Sequence, residues 1–428
     1  MKILIIGSGG REHSLAWKVA QSANVEAVYV APGNAGTAGE PKIKNIAIDI
    51  MDFESLANLA ESESISLTIV GPEAPLVDGV VDYFNQRQLP CFGPSANAAQ
   101  LEGSKAFTKN FLSRHNIPSS SYKIFTEIEA AKAYIEQVGA PIVIKADGLA
   151  AGKGVIVAMS NDEAIAAVED MLSGNKFGDA GHRVVIEEFL TGEEVSFIAM
   201  VDGNNVLPMA TSQDHKARDD GDLGPNTGGM GAYSPAPVVS DEIYQRIMDQ
   251  VILPTVKGMA SEGNDYTGFL YAGLMISPKG EINVIEFNCR FGDPEAQPVM
   301  LRLQSDLAQL CLAAIEGKLD TQSANWDPRC AVGVVLASGG YPNSYDKGDV
   351  IRGLPVESGT DRKIFHAGTT EANGQIITNG GRVLCAAALG DTVSEAQAAA
   401  YEQAHQIHWD NVYFRSDIAY RAIDRENS

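Results

Sequence analysis

The stretch Ile285-Glu286-Phe287-Asn288-Cys289-Arg290-Phe291-Gly292-Asp293-Pro294-Glu295 follows a short alternating run rich in β-branched residues. The alternation predicts that Glu286 and Asn288 lie on a strand or at its end, where side chains two apart share one face. A carboxylate and an amide oxygen side by side are hard ligands suited to Mg²⁺. Arg290 continues the spacing and would place a fixed cation beside them. A solvated strand end with outward-facing polar residues is the alternative.

The composition is that of an ordinary globular protein with ample core. The chain has 428 residues, of which 45% are hydrophobic and 20% charged, and this length predicts about three domains. The formal net charge of −23 argues against a broad surface for nucleic acid or anionic membrane. Any phosphate group must therefore be bound by local lysines, arginines and backbone N–H groups.

Cysteine usage and the apolar runs bear on the compartment. The five cysteines are scattered without a C-x-x-C pair, so neither a zinc site nor a disulfide framework is indicated. An apolar strand at residues 3–6 follows Met1 almost at once, which leaves no room for a signal peptide, and no apolar run is long enough to span a bilayer. We expect a cytoplasmic monomer without nucleic-acid or membrane partners.

Strands and helices alternate over the first hundred residues, which predicts a parallel sheet covered on both faces. The turn Gly7-Ser8-Gly9-Gly10 lies between the first strand and a helix, so its N–H groups could bind one phosphate with Arg11 nearby. The third glycine position of a dinucleotide fingerprint holds Glu12 instead, and no ribose-binding acid follows the second strand. A dehydrogenase is thereby excluded. A turn that is glycine-rich only for packing remains the alternative.

A second glycine-rich segment follows a strand that ends in Lys145. It reads Ala146-Asp147-Gly148-Leu149-Ala150-Ala151-Gly152-Lys153-Gly154 and leads into another strand. Three glycines and a lysine between two strands predict a mobile loop whose backbone can approach phosphate oxygens. It is not a Walker A loop, because Gly154 follows Lys153 and no helix comes next.

Two further segments carry candidate binding residues. A strand at 183–188 ends in Glu187-Glu188-Phe189-Leu190, which could bind an adenine amino group and ribose hydroxyls or be an ordinary exposed strand end. A long loop runs from Asp214-His215-Lys216 to Asn226-Thr227-Gly228-Gly229-Met230-Gly231 without helix or strand periodicity. Loops of this kind are usually functional or disordered, and mixed charges without repetition favour function. Residues from 325 onward predict a separate α+β domain with no obvious catalytic cluster.

The order of these motifs resembles the ATP-grasp superfamily over residues 104–320. It runs from Lys105 and Lys145 through the glycine loop and the strand end at 187–190 to the pair Glu286 and Asn288. With the first glycine turn, the 214–231 loop and the motif at 290–295, the whole chain resembles the phosphoribosylamine–glycine ligase family. The motif at 290–295 is the most specific. The chain departs from many superfamily members in lacking an acid on the preceding strand, Tyr271-Ala272-Gly273-Leu274-Met275, so the number of protein metal ligands stays open.

The resemblance implies a multidomain fold of α/β and α+β parts. The expected units are an N-terminal parallel-sheet domain of the biotin-carboxylase-like preATP-grasp type at 1–103, an ATP-grasp core at 104–324 and a small C-terminal α+β domain at 325–428. The core would contain a mobile subdomain at about 122–192.

The resemblance also implies ATP-dependent ligation of glycine to 5-phosphoribosylamine through glycyl phosphate, a step of de novo purine biosynthesis, with Mg²⁺ or Mn²⁺ on Glu286 and Asn288. The implied catalytic residues are Arg290, Asp214 and Lys216. The implied ATP-binding residues are Lys105, Lys145, Gly152, Lys153, Gly154, Glu187, Glu188, Phe189, Leu190 and Glu194. The implied substrate-binding residues are Gly9, Gly10, Arg11, Glu12, Asn34, Asp214, Thr227, Gly228, Gly229, Arg290 and Asp293.

Two other classes of function remain as alternatives. An ATP-grasp enzyme acting on another carboxylate or on bicarbonate is disfavoured by the 290–295 motif and by the absence of a biotin-carrier-like segment. A non-catalytic nucleotide-binding module is disfavoured by the intact metal-ligand pair and the lysines.

Overall fold

A computed structural model describes residues 1–149, 154–173, 182–355 and 359–428. None of the helices in these ranges combines the length and apolar character that a membrane span requires. All five cysteines are free thiols.

The N-terminal part is a parallel sheet of five strands in the order β3-β2-β1-β4-β5. Its central strand is fully apolar from Ile3 to Ile6 because helices cover both faces. The strand order reverses beside β1, so the turn after β1 lies where parallel sheets commonly bind ligands. The elements are β1 (Lys2–Gly7), α1 (Gly10–Ala20), β2 (Ala27–Pro32), α2 (Ala35–Ala38), β3 (Ile43–Asn45), α3 (Phe53–Ser62), β4 (Leu67–Val70), α4 (Glu73–Val77), α5 (Val80–Gln86), β5 (Cys91–Phe92) and α6 (Gln100–Gly103).

A small second sheet, wholly antiparallel in the order β6-β9-β7-β8, stands apart with two helices and its own apolar core. Helix α7 precedes it and contributes a lysine to it. Strands flank the second glycine loop on both sides, as predicted, and both belong to this sheet. The elements are α7 (Lys105–Arg114), β6 (Tyr122–Phe125), α8 (Ile128–Val138), β7 (Ile142–Ala146), β8 (Val155–Ala158), α9 (Asn161–Leu172) and β9 (Val184–Glu188).

The central part holds an antiparallel sheet in the order β11-β10-β16-β17, and β17 carries Glu286 and Asn288. A π-helix, Met248–Ile252, joins α10 to α11, and short 3-10 helices occupy Asp220–Asp222 and Leu319–Thr321. The elements are β10 (Glu193–Asp202), β11 (Val206–Pro208), β12 (Gln213–Asp214), β13 (Ala217–Asp219), β14 (Leu223–Asn226), β15 (Gly231–Ser234), α10 (Asp241–Ile247), α11 (Leu253–Ser261), β16 (Thr267–Ile276), β17 (Ile282–Asn288), α12 (Ala296–Arg302) and α13 (Leu307–Ile315).

The C-terminal sheet has the order β12-β15-β18-β22-β19, so it incorporates two strands from the central part. The 214–231 segment lacks periodicity, which suggested a loop without regular structure. It contains paired strands instead. Its ends join this sheet, and β13 and β14 form a ribbon between them. Strands this short pair only because tertiary partners hold them, which no local pattern reveals. The remaining elements are β18 (Cys330–Ala337), β19 (Arg362–His366), β20 (Thr369–Ala372), β21 (Gln375–Thr378), β22 (Arg382–Gly390), α14 (Val393–Ala404) and α15 (Tyr420–Glu426).

Candidate active site

A cleft of about 510 Å³ opens between the small second sheet and the rest of the molecule, and all three parts of the chain line it. One end is apolar and the other is densely charged. The described residues that form the apolar end include Val143, Val155, Val157, Leu190, Met275 and Ile285.

Strand β17 presents Glu286 and Asn288 to the cleft on one face, as their spacing predicted. Burial raises the pKa of Glu286, but the opposing field of nearby cations, Lys105 foremost, prevails and lowers it to about 2. Within the described residues, the Glu286 carboxylate accepts no hydrogen bond, whereas Asn288 Oδ1 accepts one from Arg290 Nη2 at 3.1 Å. An ionised carboxylate without a partner beside an amide oxygen fits a hard divalent cation.

The protein ligands available to such a cation are few. Among the described residues, no group of three or more His, Cys, Asp or Glu side chains has the geometry to hold a metal ion. A Mg²⁺ or Mn²⁺ ion at Glu286 and Asn288 would therefore complete its shell with phosphate oxygens and water, which Mg²⁺ commonly does.

A buried network of ion pairs holds Lys145. The Lys145 ammonium is 3.0 Å from Glu187 Oε1 and donates to the Ile285 carbonyl at 3.0 Å, which joins the small sheet to strand β17. The other oxygen of Glu187 is 2.9 Å from Lys109 Nζ. Burial raises the pKa of Glu187, but the charges of Lys145 and Lys109 lower it by more. The net pKa is below the ordinary value, so the carboxylate stays ionised. Glu187 thus holds two lysines, whereas Glu188 beside it is exposed and accepts from the Ser121 hydroxyl at 3.0 Å.

The neighbourhood of Lys105 is fixed by Asp147, which the sequence did not single out. Its Oδ1 accepts from Ser104 Oγ at 2.9 Å and from the Ala106 N–H at 3.0 Å, and its Oδ2 accepts from Arg183 Nε at 2.5 Å. The positive end of the α7 helix dipole stabilises a carboxylate placed at the first turn of the helix. Asp147 therefore holds the start of the glycine loop against the helix that carries Lys105.

Arg290 lies at the charged end, where two acids fix its guanidinium. Glu102 Oε1 is 3.1 Å from Nη2 and Glu73 Oε2 is 3.4 Å from Nε. Burial lowers the pKa of Arg290, but Glu102 and Glu73 raise it by more. The group is a permanent cation in a defined orientation, next to Asn288.

Two carboxylates pair with the ammonium of Lys216. Its Nζ is 3.1 Å from Glu194 Oε1 and 3.2 Å from Asp214 Oδ2. Burial raises the pKa of Asp214, and the charge of Glu194 raises it further against the pull of Lys216. Burial and the nearby Asp214 raise the pKa of Glu295 in the same way. In the described part of the chain, the buried Asp214 Oδ1 has no hydrogen-bond partner.

Two arginines contact Asp293, Arg382 through its guanidinium and Arg11 through its backbone N–H. Its Oδ2 is 3.5 Å from Arg382 Nη2 and accepts from the Arg11 N–H at 3.4 Å. Burial raises the pKa of Asp293, but Arg382 and Arg11 prevail and lower it. Arg382 and Tyr341 come from the C-terminal part, whose sequence showed no catalytic cluster, and Tyr341 accepts from the Gly228 N–H at 3.0 Å.

The structure brings most of the predicted site residues to this cleft. Those that line it are Arg11, Lys105, Lys145, Gly154, Glu187, Glu188, Phe189, Leu190, Glu194, Asp214, Lys216, Thr227, Gly228, Glu286, Asn288, Arg290 and Asp293. Gly152 and Lys153 lie outside the described residues.

Five predicted substrate-binding residues shape the cleft from behind and do not line it. Glu12 turns inward, accepting from the Gly9 N–H at 2.5 Å and from Arg11 Nε at 2.5 Å. Asn34 caps α2 and donates to the carbonyl of His366 at 2.9 Å. The other three are Gly9 and Gly10 in the first turn and Gly229, which has φ +114° and packs against Pro294.

Several cleft residues had no sequence signal. Glu73 and Glu102 come from ordinary helices, and nothing local distinguishes Arg382 or Tyr341 from surface residues. Only Glu295 had a signal, because it closes the 290–295 motif.

The arrangement of the domains and the cleft is that of an ATP-grasp ligase, and the comparisons with known structures agree. The biotin carboxylase domain of Hydrogenobacter thermophilus 2-oxoglutarate carboxylase superposes with a TM-score of 0.75 over 96% of this chain and 91% of that chain at 15% identity. At that identity the likeness concerns the fold alone, and it confirms the predicted biotin-carboxylase-like architecture.

The chain belongs to the phosphoribosylamine–glycine ligase family. The phosphoribosylglycinamide synthetase models match at residues 1–102 for the N domain, 103–296 for the ATP-grasp domain and 331–421 for the C domain. The Escherichia coli K12 phosphoribosylamine–glycine ligase is 66% identical over 429 residues, covering 100% of both chains, and the Vibrio cholerae enzyme is 66% identical over 428 residues with the same coverage. The Thermotoga maritima enzyme superposes with a TM-score of 0.85 at 34% identity, covering 98% of this chain and 100% of that chain.

Proposed function

We propose that the protein joins glycine to 5-phosphoribosylamine with cleavage of ATP to ADP and phosphate, giving glycinamide ribonucleotide, as a cytoplasmic monomer in de novo purine synthesis. One observation carries the proposal. A single cleft has an apolar end with the lysine-bearing small sheet, Glu286 and Asn288 at its middle, and arginines and carboxylates from the N-terminal, central and C-terminal parts of the chain at its far end. That order matches a nucleotide, its phosphates and two small polar substrates.

We assign ATP to the end formed by the small sheet. The apolar residues there would enclose the adenine, with the backbone at 188–190 and Glu188 beside its amino group and ribose. Lys145 and Lys105 would contact the phosphates. A metal ion held by Glu286 and Asn288 would neutralise charge on them. The finer divisions of the chain, at 103 and 324 with a moving subdomain at 122–192, belong to this proposal.

The first step is phosphoryl transfer. A carboxylate oxygen of glycine attacks the γ-phosphorus of ATP, and the bond from that phosphorus to the bridging oxygen of ADP breaks, giving glycyl phosphate. The residues chiefly orient the reactants. The two carboxylates that pair with Lys216 outnumber it and leave negative charge near Asp214, and this charge would hold the ammonium of glycine.

The second step is acyl transfer. The amine nitrogen of phosphoribosylamine attacks the carbonyl carbon of glycyl phosphate, the carbon–oxygen bond to phosphate breaks, and the amine loses a proton. Arg290, fixed by Glu102 and Glu73, is placed to stabilise the oxyanion that develops. Thr227 and Gly228, which line the cleft, would contact the sugar phosphate together with Arg11 and Asp293.

The test is a reconstituted reaction with MgATP, glycine and freshly made phosphoribosylamine. Glycinamide ribonucleotide should form by mass spectrometry in step with ADP, and omission of glycine should stop both. The matched variant Lys145→Met should lose turnover, because it keeps the length of the side chain but not its charge. ADP release that needs bicarbonate or another carboxylate would indicate a different ATP-grasp enzyme, and nucleotide binding without turnover would indicate a binding module.

A further inference from the structure

His215 lies between Asp214 and Lys216 but faces away from the cleft. Its backbone bonds to the neighbouring strand, with its N–H donating to the Gly231 carbonyl at 2.9 Å. Successive side chains of extended backbone point to opposite sides. Asp214 and Lys216 therefore line the cleft, whereas the His215 ring is buried behind them at 2% exposure.

The ring of His215 contacts a segment from the far end of the chain, residues 413–421, which we call the C-terminal clamp. The Ala419 N–H donates to His215 Nε2 at 2.9 Å. Because Nε2 accepts, the proton of the neutral ring is on Nδ1, and Nδ1 lies 3.6 Å from Asp222 Oδ1. The histidine thus has one tautomer and one orientation. Ala419 has φ +70°, an unusual conformation for a residue with a Cβ, so surrounding contacts must hold it.

The C-terminal clamp also binds the turn that follows Lys216. Arg415 has no exposed surface, and its Nη1 donates to Asp222 Oδ1 at 2.9 Å and to the Ala217 carbonyl at 3.1 Å. The Tyr420 hydroxyl donates to Asp222 Oδ2 at 2.7 Å. The adjacent His215 ring, together with these groups, keeps the pKa of Asp222 well below its usual range. Asp222 is therefore an ionised hub between the clamp and the loop.

We propose that His215 is a positioning residue, through which the C-terminal clamp sets the position of Asp214 and Lys216 in the cleft. This inference rests on the proposed function, since it concerns residues assigned there to glycine. His215 and the clamp are not among the residues that line the cleft, so their effect must pass through the backbone at 214–216. A displacement of about 1 Å at a reacting group can lower turnover by roughly 10²-fold, even when its cause is distant.

Two substitutions of His215 distinguish the effect of its hydrogen bond to Ala419 from the effect of its side-chain volume. His215→Gln places an amide oxygen near the site of Nε2, so it can still accept from Ala419. His215→Met has a similar volume but no comparable acceptor. The matched control is His408→Met, because His408 is an exposed histidine of the C-terminal part. Tyr420→Phe, which removes one bond to Asp222, gives a milder second probe of the clamp.

The measurements are steady-state kinetics and amide hydrogen exchange on the full-length protein. We expect His215→Met to lower kcat/KM for glycine by at least about tenfold and to leave the KM for ATP within about twofold, because Lys145 and its partners are untouched. His215→Gln should recover most of the loss, and Tyr420→Phe should show a smaller loss. Amide exchange at 214–216 should accelerate in His215→Met but not in His408→Met.

Three results would overturn the proposal: normal glycine kinetics in His215→Met, equal losses for glycine and ATP, or a His215→Gln variant no better than His215→Met. If His215→Met does not fold, Tyr420→Phe and His215→Gln carry the same comparison. Failure of the proposed function would be recognised separately, because the unsubstituted protein would then lack glycine-dependent ADP release. The exchange measurement still decides the positioning role in that case, since unchanged exchange at 214–216 in the variants would refute it.

Discussion

At the scale of single residues, Glu286 decides the charge balance of the cleft. Among the described residues, this carboxylate lies near four cations and accepts no hydrogen bond; the cations are Lys105, Lys145, Lys216 and Arg290. Its ionisation balances the lysines and leaves an oxygen free for a metal ion. The same residue would be a harmless surface acid if it lay on a solvated strand end. A charge-neutral substitution distinguishes the two.

Glu286→Gln should abolish most metal-dependent turnover while the protein stays folded. The amide has nearly the volume of the carboxyl group but cannot supply the negative charge that a hard cation requires. Turnover as a function of Mg²⁺ and of Mn²⁺ concentration, with circular dichroism as the check on folding, measures the effect. The control is Glu281→Gln, just before the same strand and exposed. Unchanged metal dependence in Glu286→Gln would remove this residue from the metal site.

Arg290→Lys tests whether the fixed guanidinium acts in the reaction. Lysine keeps the charge but loses the planar fork that contacts Glu102 and Asn288 together. Loss of one oxyanion donor typically lowers turnover by ~10²–10³, or about 3–4 kcal/mol. Single-turnover measurements at saturating substrates would report it, with the exposed Arg362→Lys as control. Turnover close to that of the parent would leave Arg290 a purely structural residue.

At the scale of elements, helix α7, strand β7 and strand β9 meet through Lys109, Glu187 and Lys145. Lys109 is not among the residues that line the cleft, yet it pairs with the far oxygen of the carboxylate that holds Lys145. Burial lowers the pKa of Lys109 to about 8 against the pull of Glu187. The pair is therefore intact at neutral pH and is lost in mild alkali.

We expect Lys109→Met to raise the KM for ATP and to remove an alkaline limb of activity near pH 8. As pH rises through this value, Lys109 loses its proton and Glu187 can rotate away from Lys145. The effect on stability has the opposite sign. The pKa of Lys109 in the folded protein lies below its ordinary value of 10.5, so between about pH 8 and 10.5 the unfolded chain binds more protons and this group's contribution to stability rises with pH. A pH–rate profile and thermal melts over that range check both signs, and an identical alkaline limb in the variant would contradict the expectation.

Elements also show how far sequence alone could reach. The spacing of two residues sufficed to place Glu286 and Asn288 on one face, because a strand's period is fixed by its backbone. A β-bulge at Ile285 interrupts the alternation just before them, and no local pattern predicted it. The sequence predicted the first glycine turn, but no local pattern shows that the Glu12 side chain folds under it. That position is open only because Gly7 and Gly71 have no side chains to fill it. Strand β12 has two residues and forms only against β15. Distant partners of that kind leave no pattern in a single sequence.

At the scale of the whole molecule, the N-terminal and C-terminal parts must stay together for Arg11 and Arg382 to share Asp293. Their contact is a buried polar interface behind the cleft. His13 Nδ1 accepts from the His366 N–H at 2.8 Å, so its Nε2 carries the proton and donates to Glu40 at 3.1 Å. Burial lowers the pKa of His13 and keeps the ring neutral.

Glu40 is the ionised member of this interface, and its ion pair with Lys363 joins the first part of the chain to strand β19. Burial raises the pKa of Glu40, but its hydrogen bonds with His13 and Lys363 prevail and lower it to about 2. The pKa of Glu40 in the folded protein thus lies below its ordinary value of 4.5. The stabilisation is therefore fully present above about pH 4.5 and is lost as pH falls towards 2.

Glu40→Gln should flatten this part of the acid unfolding curve. The parent should lose about 1–2 kcal/mol of unfolding free energy from Glu40 between pH 4.5 and 2, once solvent screening is allowed for, and the variant should not. Urea unfolding at several pH values measures the difference, and Glu402→Gln is the control because Glu402 pairs with Arg362 on the surface at 2.6 Å. If the two curves keep a constant separation from pH 6 to 3, Glu40 does not tie the two ends of the molecule together. If only Glu40→Gln loses its pH dependence, this carboxylate stabilises the interface that brings Arg382 to the cleft.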